Sequence, residues 1–156
     1  MKKVVIFTDG SCKGNPGPGG WAAILQYVDA QGRPHEKAIS GGIARTTNNR
    51  AELTAAIQAL SALKEPCQVE LWTDSQYLVT VTTGGRARAN LDLVGELREL
   101  LQTHQVTVHH VQGHNGHPGN ERANRLAQEA AVLQAQACPE RSRRANRAVT
   151  ERGERR

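Results

Sequence analysis

Four oxygen-bearing side chains, Asp9, Glu52, Asp74 and Asn124, stand at positions where a folded chain could use them for chemistry. Asp9 stands at the end of the segment that begins with the apolar residues 4–7, separated from them only by Thr8, and such a run is typical of a strand buried on both faces. Asp74 follows a second such segment, QVELWT. Open α/β sheets bind their ligands at the carboxyl ends of strands, so both acids are candidates for a functional site.

Glu52 belongs to the segment RTTNNRAELTAAIQALSAL, whose apolar residues recur at helical spacing. We expect Asn48 or Asn49 to be the N-cap of this helix and Pro66 to stop it. At about 100° per residue, Glu52 borders the apolar face of the helix and points toward the core. A capping box between Asn49 and Glu52 is the structural alternative.

Asn124 lies in a second predicted helix, ERANRLAQEAAVLQAQA. Its apolar positions are Ala123, Leu126, Ala127, Ala130 and Ala131. Asn124 follows Ala123 and therefore borders that apolar face.

The remaining segments predict an α/β fold with a mixed five-stranded sheet, three antiparallel strands and then two parallel ones, flanked by helices. WAAILQYVD and HEKAISGGI read as a hairpin with Gly32 and Pro34 at its turn, and VTVHHVQGH reads as the fifth strand. SQYLVTVTT and LDLVGELRELLQT read as helices. A right-handed crossover makes the QVELWT strand parallel to the first, which brings Asp9 and Asp74 to the same sheet edge.

A cluster of Asp9, Glu52 and Asp74 requires compensation, because two carboxylates about 4 Å apart repel by about 4 kcal/mol at an effective dielectric constant of 20. Oxygen ligands without His or Cys favour hard cations such as Mg²⁺ or Mn²⁺. Two such ions about 3.5–4 Å apart activate a water and stabilise the leaving oxygen in phosphodiester cleavage.

The composition favours one domain with a tail. Residues 138–156 hold seven Arg against three Glu, which leaves 13 basic and 12 acidic residues for 1–137. We therefore expect a catalytic domain over 1–137 and a basic, disordered tail over 138–156.

The apolar runs of this chain are only a few residues long. They are too short for the roughly 20 residues that cross a bilayer and too short for a signal peptide, so we expect a cytoplasmic protein that contacts no membrane.

Four stretches, FTDGSCKGNPGPGGWAAIL, TTNNRAELTAAIQAL, LWTDSQYL and VQGHNGHPGNERAN, resemble bacterial ribonuclease H of the type 1 form. The resemblance implies a ribonuclease H-like fold and hydrolysis of the RNA strand of RNA/DNA hybrids, with 5′-phosphate and 3′-hydroxyl products. It implies two Mg²⁺ ions, replaceable by Mn²⁺, held by Asp9, Glu52, Asp74 and Asn124, and a role for His114 in proton movement or product release. It implies no obligate protein partner, and we expect a monomer.

The resemblance also implies substrate contacts. The implied residues are Cys12, Asn15, Asn48, Asn49 and Gln76 along the minor groove of the hybrid, and Thr47 with Asn90 at a phosphate of the DNA strand. Amide groups can pair with 2′-hydroxyls and base edges, by which proteins tell RNA from DNA. Each residue has a structural alternative, such as helix capping, a turn or packing.

Two departures from the family pattern matter. The family has Asp at the position of Asn124; an amide oxygen still binds a hard cation, but one negative charge is lost. We therefore expect activity with a raised metal requirement. TTGGRARAN replaces a longer basic protrusion and retains only Arg86 and Arg88, so one hypothesis is that the tail arginines substitute for it. A solvated extension without function is the alternative.

Two other functions remain open from the sequence. One is a related carboxylate nuclease acting on DNA or structured RNA. The other is a catalytically weak hybrid-binding module, which the missing charge at Asn124 makes conceivable.

Overall fold

The computed structural model describes residues 1–112 and 117–137. The elements in chain order are β1 (Lys2–Cys12), β2 (Gly17–Val28), β3 (Pro34–Thr46), α1 (Asn48–Ser61), β4 (Cys67–Thr73), α2 (Gln76–Thr82), α3 (Leu91–Thr103), β5 (Gln105–His110) and α4 (Pro118–Ala137). The proposed tail, residues 138–156, lies outside the described residues, as does His114.

The five strands form one sheet in the order β3-β2-β1-β4-β5. β1, β2 and β3 pair antiparallel, whereas β4 pairs parallel to both β1 and β5. The predicted fold class, a mixed sheet with three antiparallel strands followed by two parallel ones, is therefore confirmed.

Asp9 lies inside β1 rather than at its end, so the predicted position at the end of the strand is wrong. β1 stays paired with β2 as far as Cys12, opposite Gly19, and Asp9 itself pairs with Ala22. On its other side β1 pairs with β4 only as far as Phe7, opposite Trp72. Asp9 therefore stands two residues beyond the parallel pairing, at an edge of β1 that β4 no longer occupies.

Helices cover both faces of the sheet because the side chains of β1 alternate between two cores. Ile6 packs with Leu53 and Leu60 of α1 in the larger cluster, which also receives residues of α2 and α3. Phe7 packs on the opposite face with Ala123 of α4. This alternation puts α1 and α4 on opposite sides of the strand that carries Asp9.

α1 begins one residue after Thr47, whose hydroxyl oxygen accepts a hydrogen bond of 3.2 Å from the backbone N–H of Arg50. The prediction of Asn48 or Asn49 as N-cap is therefore wrong. Glu52 is the fifth residue of the helix, beyond the position that a capping box requires. The helix also ends at Ser61, before Pro66 can stop it.

Gly10 lets α1 approach β1 closely. A Cβ at this position would stand 2.5 Å from the backbone carbon of Ala51 and 2.6 Å from the backbone nitrogen of Glu52. Backbone atoms cannot yield as a flexible side chain can, so only glycine permits this contact. The close approach of α1 to β1 at Gly10 therefore determines where Glu52 lies relative to Asp9.

Across residues 1–112 and 117–137, none of the helices combines the length and apolar character that a membrane crossing needs.

Candidate active site

Three carboxylates meet at the open edge beside β1. Asp9 comes from within β1, Glu52 from the second turn of α1, and Asp74 from the residue after β4. One carboxylate oxygen from each residue lies within 4.8 Å of the chosen oxygens of the other two. We call Asp9, Glu52 and Asp74 the carboxylate cluster. After α1 the chain returns in β4 parallel to β1, which brings the two strand acids to one edge of the sheet, as expected from the sequence.

The carboxylate cluster is poorly compensated by the protein. Burial, and then the charge of Asp74, raise the pKa of Asp9 to about 6. Burial raises the pKa of Glu52 well above its usual range, and the charges of Asp9 and Asp74 add to this effect. Within the described part of the chain, Oε1 of Glu52 is buried and has no hydrogen-bond partner.

These features fit a divalent cation. An ionised carboxylate whose oxygen is buried without a partner gains most from a positive charge placed beside it. The donors are all oxygens, which Mg²⁺ and Mn²⁺ prefer over nitrogen or sulfur. The carboxylate cluster could therefore hold a divalent metal ion.

Asn124 joins the carboxylate cluster from the opposite side of the sheet. It lies in the second turn of α4, and its side-chain amide donates a hydrogen bond of 2.5 Å to Oδ2 of Asp9. This hydrogen bond lowers the pKa of Asp9 and so opposes the effects of burial and of Asp74. The structure thus brings together all four residues predicted as metal ligands; their roles stay predictions.

The aromatic residues beside the site pack around His117. The imidazole ring stacks on Trp72 with 5.1 Å between ring centroids and lies 5.3 Å from the ring of Phe7. Gly119 makes room for this packing, because a Cβ there would lie 2.6 Å from Phe7. These contacts anchor the start of α4, and with it Asn124, on the sheet.

Four of the predicted substrate-contact residues surround the start of α1. Oδ1 of Asn15 accepts a hydrogen bond of 3.0 Å from the backbone N–H of Asn48. The thiol of Cys12 donates to the backbone oxygen of Thr46 at 3.2 Å, next to the N-cap Thr47. Asn15 and Thr47 therefore also support the local structure, and substrate binding by the four residues stays a prediction.

Asn49 and Gln76 are exposed at the starts of α1 and α2. Nε2 of Gln76 donates a long hydrogen bond of 3.4 Å to the hydroxyl of Thr80, within its own helix. Both amides are accessible to a ligand.

Asn90 precedes α3 and has a left-handed backbone with φ of 58°. Its side chain contacts Arg50 and Tyr77, two residues that the sequence analysis did not single out. The contact with Arg50 joins positions 40 residues apart in the sequence. No local sequence pattern could have indicated it.

Comparisons with known proteins establish the family of this chain. A sequence model of the family RNase H matches residues 1–132. The chain belongs to the ribonuclease H family. The ribonuclease H of Erythrobacter litoralis is 54% identical to this family member over 149 residues, which cover 86% of this chain and 100% of that protein. The predicted enzyme class, ribonuclease H, is confirmed.

Solved structures of the family share the fold. LC9-RNase H1, described as a type 1 RNase H with the type 2 active-site motif, superposes with a TM-score of 0.78 at 31% identity. That match covers 86% of this chain and 74% of the other. LC11-RNase H1, crystallised in complex with RNA/DNA hybrid, gives a TM-score of 0.66 at 28% identity, over 83% of this chain and 96% of the other.

Proposed function

We propose that this ribonuclease H family member is an endoribonuclease that hydrolyses the RNA strand of RNA/DNA hybrids by a two-metal-ion mechanism. The products would carry 5′-phosphate and 3′-hydroxyl ends. The observation that supports this most directly is the carboxylate cluster, with oxygens within 4.8 Å of one another. The related LC11-RNase H1, crystallised with an RNA/DNA hybrid, supports the choice of substrate.

Asp9, Glu52, Asp74 and Asn124 would hold two Mg²⁺ ions, with Mn²⁺ as a substitute. When bound, such ions supply the positive charge that activates a water and stabilises the leaving oxygen. Asp9 would be central to this ligand set, because it accepts a hydrogen bond from Asn124 and one of its carboxylate oxygens lies within 4.8 Å of oxygens of Glu52 and Asp74. The proposed role of His114 in proton movement or product release concerns a residue outside the described part of the chain.

The substrate would lie across the starts of α1, α2 and α3. Amides that both donate and accept hydrogen bonds suit the 2′-hydroxyls and base edges of the RNA strand. The proposed minor-groove residues are Cys12, Asn15, Asn48, Asn49 and Gln76. Thr47 and Asn90 would bind a phosphate of the DNA strand.

Two further features of this chain would shape hybrid binding. The loop between α2 and α3 carries only Arg86 and Arg88 where many bacterial relatives have a basic protrusion. The seven arginines of residues 138–156 would supply the missing phosphate affinity. Asn124, in place of the expected fourth Asp, would weaken the second metal without abolishing activity.

Cleavage of labelled RNA/DNA, RNA/RNA and DNA/DNA duplexes, with and without Mg²⁺, tests the proposal. We expect metal-dependent cleavage of the RNA strand of the hybrid alone, with 5′-phosphate ends on the fragments. Cleavage of another duplex would point to a related carboxylate nuclease. Binding of the hybrid without cleavage would favour a binding module, an alternative that the amide contact of Asn124 with Asp9 keeps open.

A further inference from the structure

Arg50 contacts both residues of the proposed phosphate pair, Thr47 and Asn90. Its backbone N–H donates to the hydroxyl oxygen of Thr47 at 3.2 Å. Its guanidinium Nη1 donates to Oδ1 of Asn90 at 3.3 Å. One residue of α1 therefore joins the N-cap of its own helix to the residue that precedes α3.

These contacts determine which way the amide of Asn90 points. A guanidinium only donates hydrogen bonds, so the atom of Asn90 that faces Arg50 must be the carbonyl oxygen. Nδ2 of Asn90 then faces Tyr77 and donates to its hydroxyl oxygen at 3.0 Å. The amide is held at both ends, and its orientation follows from the chemistry of its neighbours.

Each residue of the pair keeps one donor available. An amide nitrogen carries two N–H groups, and among the described residues only Tyr77 accepts from Asn90. The hydroxyl oxygen of Thr47 accepts from Arg50, and within residues 1–112 and 117–137 its O–H has no acceptor and can donate to a ligand. Both residues are half-buried, so a phosphate oxygen can reach these donors.

Asp92 holds the guanidinium of Arg50 in place. Its two carboxylate oxygens accept from Nη1 at 3.1 Å and from Nη2 at 2.9 Å. Hydrogen bonds from Arg50 lower the pKa of Asp92 to about 2, so the carboxylate is ionised at neutral pH. Such a two-point contact fixes the plane of the guanidinium as well as its position.

We propose that Arg50 and Asp92 are a positioning pair, which orients the amide of Asn90 and spaces it from Thr47 so that the two residues bind one phosphate of the DNA strand. This inference rests on the proposed function. Arg50 and Asp92 act through Asn90 and Thr47 and need not touch the substrate.

The direction in which one substitution changes KM distinguishes a positioning role from a purely electrostatic one. Asp92→Asn removes a negative charge near the proposed path of an anionic substrate, so electrostatics alone predicts a lower KM for the hybrid. If Asp92 acts by orienting Arg50, the same substitution frees the guanidinium and the amide of Asn90. Positioning therefore predicts a higher KM.

Steady-state cleavage of an RNA/DNA hybrid at low salt measures the difference. We expect Asp92→Asn and Arg50→Lys each to raise KM by roughly threefold to tenfold while kcat changes by less than about twofold. Arg50→Lys keeps the positive charge, but the single ammonium group of Lys cannot replace the planar guanidinium that donates to both Asp92 and Asn90. The thermal midpoint of each variant is measured in parallel to detect a purely structural effect.

Glu36→Gln is the matched control. Glu36 accepts two hydrogen bonds of 2.9 Å from Arg122, and its pKa is likewise lowered to about 2. This pair joins β3 to α4 and contacts neither Thr47 nor Asn90. Glu36→Gln should leave KM unchanged.

An unchanged or lowered KM in Asp92→Asn, while the parent protein cleaves the hybrid, overturns the positioning role and leaves the proposed function standing. An equal rise in KM with Glu36→Gln overturns it as well, because any surface ion pair would then have the same effect. A parent protein that fails to cleave the hybrid overturns the proposed function itself.

Discussion

The side-chain amide of Asn124 donates a hydrogen bond of 2.5 Å to the carboxylate of Asp9. This contact joins α4 to β1 at the carboxylate cluster. An aspartate at the same position could not donate in its ionised form, and it would add a fourth negative charge. Asn124 therefore compensates Asp9 in the absence of a cation and contributes less charge to binding one.

Asn124→Asp should lower the Mg²⁺ concentration that gives half-maximal cleavage by roughly tenfold, because a further carboxylate attracts the second cation. Titration of Mg²⁺ against hybrid cleavage measures this. Gln128→Glu adds the same charge one turn later at an exposed position of α4 and should have little effect. An unchanged metal requirement in Asn124→Asp would contradict the weak second site.

Asp9→Asn should abolish cleavage of the hybrid and stabilise the metal-free protein. The substitution removes one charge from the carboxylate cluster, and relief of that repulsion is expected to raise the free energy of unfolding by about 1–2 kcal/mol. Denaturant unfolding in the presence of a chelator measures the gain. If Asp9→Asn cleaves as well as the parent, the assignment of the active site is wrong.

Metal binding should stabilise the protein more at pH 8 than at pH 5. Burial and Asp74 raise the pKa of Asp9 to about 6 in the folded protein, whereas its value in the unfolded chain is near 4. Between these pH values the folded state therefore binds more protons than the unfolded state. Without metal, the contribution of Asp9 to the free energy of unfolding is therefore largest below about pH 4. As the pH rises through about 6, this contribution falls by on the order of 1–3 kcal/mol.

Thermal unfolding with and without Mg²⁺ at the two pH values measures this difference. Asp9→Asn, measured in the same way, should lose most of the pH dependence. An Mg²⁺ shift of equal size at pH 5 and pH 8 would contradict the coupling between Asp9 and the metal.

Gly10→Ala should impair both stability and cleavage, because the new Cβ would lie 2.5 Å from the backbone of Ala51 and push α1 away from β1. We expect a loss of about 1–3 kcal/mol in the free energy of unfolding, and a fall in kcat as Glu52 moves from Asp9. Gly95→Ala is the control, since nothing lies within 4 Å of its Cβ and its helix α3 should gain about 0.5–1 kcal/mol. Full activity in Gly10→Ala would show that Glu52 tolerates displacement.

Removal of residues 138–156 should weaken hybrid binding at low salt. The tail carries seven Arg and three Glu, and each phosphate contact that it makes adds to the salt dependence of the affinity. Binding of a hybrid by the full chain and by a chain that ends at Ala137 is compared across a salt series, and the shorter chain should show the smaller slope. Equal affinity at low salt would favour an extension without function.

The sequence by itself determined the types of the elements, their order along the chain and which strands run parallel, whereas the order of the strands in the sheet came from the structure. The apolar periodicity of α1 and α4 and the buried runs of β1 and β4 are local patterns that read directly from the chain. The expectation that a crossover helix returns the chain parallel to β1 placed Asp9 and Asp74 at one edge, and β4 is indeed parallel to β1. Both the fold and the meeting of the acids therefore followed from short-range patterns and one general rule of topology.

Only the tertiary structure decided how each group is held. Asp9 lies within β1 because β2 stays in register as far as Cys12, whereas β4 leaves the pairing at Phe7. Asn90 is oriented by Arg50, a contact between residues 40 positions apart. The raised pKa of Asp9 arises from burial and neighbouring charge, which depend on distances that the packing of separate elements sets. Such contacts have no local signature, because they form only when distant segments pack together.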